Sequence, residues 1–167
     1  AAEGAPAASD GAENIGAERA GEYAEDSDIS YDIAVDIGTT TIAMQLLKGT
    51  TGKAVHTVTT INHQRAYGAD VISRMQASMG GKKEGLRQSI QTDLTEGIKR
   101  LLEESGVEAG KVRRVAIGGN TTMGHLLMGY DCDTLGVYPF TPVNIDFIEG
   151  SFQEILGSDL LDATTVL

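Results

Sequence analysis

The chain has 167 residues, a formal charge of −11 and a single cysteine. That length fits one domain of ordinary size or part of a larger one, and the acidic balance argues against holding nucleic acid through its phosphates, which takes clustered Lys and Arg. Cys132 alone rules out an internal disulfide and cannot by itself hold a structural zinc or an iron–sulfur cluster; it reads as a half-buried thiol.

The charge is uneven. Residues 1–30 carry eight acidic side chains against one base, Arg19, with much Ala, Gly and Ser and almost no large apolar side chains. Such a stretch buries too little surface to offset its ordering entropy, so the composition predicts a disordered acidic linker or tail over 1–30. The remainder holds sixteen acids and twelve bases, an ordinary balance for a cytoplasmic domain. No secretory signal pattern opens the chain, and no stretch is apolar enough to cross a membrane.

Ordered structure is expected from Tyr31. "YDIAVDI" reads as a central strand, apolar on both faces through Ile33, Ala34, Val35 and Ile37. "TTIAMQLL" reads as a second strand, closed by the glycine-bearing turn "KGTTGK", and "AVHTVTTI" as a third, rich in β-branched residues. The period then changes. Val71, Ile72, Met75 and Met79 predict one helix, stopped by Gly80-Gly81, and Leu86 to Leu102 a longer one ending at Gly106. "VRRVAI" returns to strand, and "NTTMGHLLMG" is a short helix capped by Asn120 or Thr121. This β-β-β-α-β-α order predicts an α/β domain with a mixed sheet and helices packed on it.

Two turns carry the chemistry. In "AVDIGTTTIA", Gly38 permits a tight bend, and the amides and hydroxyls of Thr39, Thr40 and Thr41 would converge on an anion such as a terminal phosphate. Asp36 at the strand end is a hard oxygen ligand suited to Mg²⁺, directly or through its waters. A plain Gly-Thr hairpin with an exposed Asp remains the alternative. "AIGGNTTMGHLL" repeats the pattern: Gly118 and Gly119 let the backbone approach a ligand, Asn120 would position a water or phosphate oxygen, and Thr121 and Thr122 open a helix whose N-terminus favours anions. An ordinary helix cap explains Asn120 and Thr121 but not the two glycines. If the fourth strand lies beside the first, both turns open on one cleft. The histidines (His56, His63, His125) lack metal-ligand spacing, and Met44, Met75, Met79, Met123 and Met128 fall at core-like positions.

These residues carry a resemblance. "VDIGTTT" resembles the first phosphate loop of the sugar kinase/Hsp70/actin (ASKHA) superfamily of ATPases. Together with "NHQRAYGADVISRM", "GGNTTMGHLLMG" and "LGVYPFTPV", it resembles one branch from Tyr31 to the chain end: the ferredoxin-linked reductive activators of corrinoid proteins. The resemblance implies a ribonuclease-H-like or actin-like lobe over 31–167, ATP and Mg²⁺ as ligands, and a corrinoid protein as partner. It also implies that a second lobe and a [2Fe-2S] domain lie outside this chain, so this chain alone is expected to be inactive. Asp36 and Asn120 become the catalytic residues, with Gly38, Thr39, Thr40, Thr41, Gly118, Gly119, Thr121 and Thr122 around the phosphates. The resemblance also tips Arg65, Tyr67 and Asp70 of "RAYGADVISRM" toward a cleft or partner surface, against a plain turn with Asp70 at a helix start. A ribonuclease-H-like nuclease would need a further carboxylate where Gly118, Gly119 and Asn120 stand. A non-catalytic docking or regulatory lobe and a small-metabolite kinase remain as alternatives.

Overall fold

A computed structural model describes residues 29–167, so the acidic linker or tail expected over 1–30 lies, as far as residue 28, outside the described residues. Three strands come first, β1 (Tyr31–Ile37), β2 (Thr41–Lys48) and β3 (Ala54–Ile61), then two helices, α1 (Val71–Ala77) and α2 (Lys83–Ser105). β4 (Val112–Gly119) and α3 (Thr121–Met128) follow, and β5 (Glu149–Ser151), α4 (Phe152–Leu156) and β6 (Thr164–Val166) complete the fold. The six strands form one mixed sheet in the order β3-β2-β1-β4-β6-β5. β1 is antiparallel to β2 and parallel to β4, with Asp36 opposite Gly118 and Ile37 opposite Gly119.

The period-two pattern sets the layers. Ile33, Val35 and Ile37 of β1, Ile42, Met44 and Leu46 of β2, and Val115 and Ile117 of β4 are buried on one face. Against them α2 brings Leu86, Ile90, Leu94, Ile98 and Leu101, and α3 brings Met123, Leu126 and Leu127. The other face is not the second apolar surface that the composition of β1 suggests. Ala34 is only half-buried and Asp36 and Ala116 are exposed there, while Arg114 pairs with Asp32 at 2.9 Å.

Gly80-Gly81 interrupts the helices as expected: a wide turn, Ser78–Lys82, separates α1 from α2, and Gly81 takes a φ of 89°. That turn carries Met79 off the helical face, and it is 48% exposed rather than in the core. Ile72 also points outward, and Met128 is half-buried. The segment β5-α4-β6 was not foreseen, because elements of three and five residues carry too little periodicity to be read. It closes the sheet beside β4, with Phe152 and Ile155 buried in the common core. No helix among the described residues is long and apolar enough to cross a membrane.

The core hinges on the α2 stripe. Leu94→Ala empties a fully buried position and should lower stability by about 2–5 kcal/mol, read as the shift in urea midpoint at constant slope.

Candidate phosphate-binding site

The parallel register of β1 and β4 brings the two polar turns together. Gly38 and Asn120 directly follow the paired residues Ile37 and Gly119, so both turns leave the same end of the sheet from adjacent strands.

The first turn is held from behind by every one of its carbonyls. Asn62 donates from Nδ2 to the Gly38 carbonyl at 3.0 Å, Arg74 from Nη2 to the Thr39 carbonyl at 2.6 Å, and the Asn62 amide to the Thr40 carbonyl at 2.9 Å. The turn closes on itself through Gly38 N–H to the Thr41 carbonyl at 3.0 Å. A trans peptide is planar, with C=O and N–H on opposite sides. Fixing the Gly38 and Thr39 oxygens at the back therefore aims the Thr39 and Thr40 amides to the front. Neither amide has an acceptor among the described residues. Gly38 is required by space, since a Cβ there would lie 2.5 Å from the Thr41 carbonyl oxygen.

Both clasping side chains are fully buried. Asn62 is fixed further by accepting the Gln64 amide at 3.1 Å, as cap of a short 3₁₀ turn, His63–Ala66. Asn62 Nδ2 and Arg74 Nη1 also share the sulfur of Met123 on α3, at 3.7 and 3.6 Å. Met123 in turn donates its amide to Asn120 Oδ1 at 3.0 Å. One contact network thus ties both turns together.

In the second turn Asn120 is the cap of α3, which leaves its Nδ2 free of partners among the described residues. Thr121 and Thr122 are the first residues of α3, whose leading amides have no acceptor within the helix. The Thr122 hydroxyl, however, turns inward onto the Met75 sulfur at 3.8 Å, so only its backbone faces the turn. The two glycines separate in role. A Cβ on Gly119 would lie 3.1 Å from the Ile37 carbonyl oxygen and 3.3 Å from the Ile37 Cβ, so strand packing alone asks for a glycine. Gly118 meets nothing closer than 3.8 Å. It lies opposite Asp36 in the ladder, and its missing side chain leaves room beside that carboxylate. Asp36 is exposed, is flanked on the other side by Ala43, and has no hydrogen bond or ion pair among the described residues. An exposed carboxylate with open space beside it suits a hydrated Mg²⁺.

At the second turn, a cleft of about 260 Å³ is lined by Gly118, Asn120, His125, Tyr130 and Asp146. His125 is buried and accepts the Val143 amide at Nε2, 3.0 Å away, while its Nδ1 donates to the Thr121 carbonyl at 2.9 Å. It fastens the 130–148 segment to α3, a structural task that its position in the sequence did not reveal.

Arg65, Tyr67 and Asp70 make no hydrogen bond to either turn. Asp70 caps α1 in a reciprocal box with Ser73, whose amide holds its carboxyl below the usual range. Tyr67 lies over Gly85 on the rim of a separate groove of about 770 Å³ that it shares with His63 and Arg100, and Arg65 is exposed. The arginine of this block that reaches the turn is Arg74. The structure buries Arg74 beside Met75 on the inner side of α1, which the apolar pattern of the segment did not reveal. Cys132 is buried rather than half-buried, and burial pushes its thiol up from its ordinary value.

A mixed sheet with two polar turns at the ends of parallel β1 and β4, and helices packed on it, is an actin-like (ASKHA) lobe. Residues 31–163 match the RACo middle region family, and the chain belongs to it. It is 31% identical, over 112 residues, to the corrinoid activation enzyme RamQ of Eubacterium limosum, a match covering 66% of this chain and 19% of RamQ. Among solved structures, a reductive activator for corrinoid, iron-sulfur protein matches with a TM-score of 0.76 at 30% identity, over 84% of this chain and 23% of that one. The chain therefore spans about a fifth of the length of these relatives.

Two substitutions separate scaffold from site. Asn62→Ala leaves the Gly38 carbonyl and the Gln64 amide without partners and should lower stability by about 1–3 kcal/mol. Asp36→Ala, at an exposed and unbonded position, should leave the urea midpoint of the chain unchanged.

Proposed function

We propose that this chain is the first phosphate-binding lobe of an ATP-dependent reductive activator of corrinoid proteins. The observation that carries the reading is the rear clasp on the Gly38–Thr41 turn, which presents two unpaired amides beside the N-terminus of α3. Membership of the RACo middle region family and the corrinoid activators among its relatives supply the rest.

In this reading the terminal phosphates of ATP lie in front of the Thr39 and Thr40 amides and the leading amides of α3, with the Thr40 and Thr41 hydroxyls at the rim. Asn120 Nδ2 holds a phosphate oxygen or the attacking water. Asp36, beside the space left by Gly118, would hold Mg²⁺. Bound there, the ion would neutralise charge on the transferring phosphoryl group.

ATP hydrolysis then drives closure of this lobe on a second one. That closure assists the transfer of one electron from a [2Fe-2S] domain to an oxidised corrinoid cobalt. Both of those domains lie outside this chain, and the assembly works in the cytoplasm. The docking-lobe and metabolite-kinase readings have no comparable support from the relatives' names.

This chain alone should bind Mg·ATP weakly or undetectably in calorimetry, with binding recovered in the intact activator. There, Asp36→Ala should abolish hydrolysis more than it weakens binding, and unchanged turnover would remove Asp36 from the site. The intact activator should hydrolyse ATP slowly alone and faster with an oxidised corrinoid protein. Cobalt reduction, followed by absorbance, should proceed with ATP and fail with a non-hydrolysable analogue. Equal reduction with both, or phosphorylation of a sugar or carboxylic acid instead, would overturn the reading.

A further inference from the structure

We propose that Arg74 is the positioning residue of the phosphate turn: a buried cation with no carboxylate against it, whose missing counter-charge is the phosphate held in front. Every acceptor that its guanidinium meets is neutral. Nε donates to the Gly68 carbonyl at 3.0 Å, Nη2 to the Thr39 carbonyl at 2.6 Å, and Nη1 points at the Met123 sulfur at 3.6 Å. The side chain is fully buried, and it forms no ion pair among the described residues.

The acid on the preceding turn, Asp70, acts on it only through space, raising its value against the larger effect of burial, and forms no ion pair with it. Its carboxylate is exposed and engaged by the Ser73 amide and hydroxyl at 2.8 and 2.9 Å. Burial pulls the Arg74 guanidinium down from its ordinary value, but arginine stays charged in proteins. A buried charge held only by neutral groups is costly. Its neutral bonds give the lobe a reason for a donor here but none for a full charge.

The geometry gives a reason connected to the ligand. The Thr39 carbonyl that Arg74 grips belongs to the same peptide unit as the Thr40 amide. A cation on the oxygen side polarises that unit and strengthens its N–H as a donor to an anion on the far side. Through the Met123 sulfur the same guanidinium also touches α3, so one side chain registers both turns. Lysine would keep the charge but could not span Gly68, Thr39 and Met123 as the planar fork does.

The inference rests on the phosphate reading of the turn, and the two fail separately. The test uses the intact activator and three proteins: wild type, Arg74→Met and Arg74→Lys. Arg74→Met should fold with a lowered Tm, because the Gly68 and Thr39 carbonyls lose their donor, and raise the KM for Mg·ATP by about tenfold or more, with kcat changed by less than about threefold. Arg74→Lys should recover part of that loss. A folded Arg74→Met with an unchanged KM, or a Lys variant no better than Met, would overturn the role of Arg74 while the phosphate site stands. Absence of Mg·ATP binding in wild type would instead remove the site itself. A measurement on the unaltered protein covers the case in which Arg74→Met does not fold. The buried Arg74 Nε–H should give a slowly exchanging NMR signal that shifts on addition of Mg·ATP and stays in place with adenosine. A signal indifferent to both would contradict the proposal.

Discussion

The site depends on what lies behind the Gly38–Thr41 turn. Peptide planarity makes a carbonyl fixed on one side equivalent to an amide aimed at the other. In this lobe the fixing is done by two fully buried polar side chains, Asn62 and Arg74. They come from the segment that runs from β3 into α1 and meet at the Met123 sulfur of α3. The turn therefore has its shape only when the hairpin, α1 and α3 are all in place. The shape of the turn is a product of the folded lobe rather than of the local Gly-Thr sequence.

The sheet brings the other half of the chemistry to the same place. Pairing of β1 with β4 sets Asp36 beside Gly118 and the first turn beside the cap of α3. Alternation along β1 then sends Asp36 to the uncovered face, while its chain neighbours Val35 and Ile37 go to the helices. An ion held at Asp36 would thus reach a phosphate at the turn from the uncovered face of the sheet. Gly118 contributes by having no side chain, whereas Gly119 is already required by its contact with Ile37.

Much of this was legible in the residues. Apolar and β-branched runs marked β1 to β4, period 3.6 marked α2, and Asn120 and Gly129 bracketed α3 as their types predict. The paired Gly-Thr and Gly-Asn-Thr turns stood out because neither strand nor helix gains from them. The supports behind them did not stand out. A buried Asn or Arg has the same letter as an exposed one, and only the fold shows that Arg74 occupies a core position of α1. Arg65, Tyr67 and Asp70 drew notice in the same block although none of them hydrogen-bonds to the turns. The short β5-α4-β6 segment was illegible for want of length, and the inward hydroxyl of Thr122 was hidden by its position one residue into a helix.

The central claim is that the clasped turn faces a nucleotide phosphate. A crystal structure of the intact activator with Mg²⁺ and a non-hydrolysable ATP analogue tests it most directly. The account predicts terminal phosphate oxygens within hydrogen-bond distance of the Thr39 and Thr40 amides, with the Asn62 and Arg74 bonds to the turn retained. A nucleotide whose phosphates lie away from this turn, or a turn whose amides point back into the lobe, would contradict it.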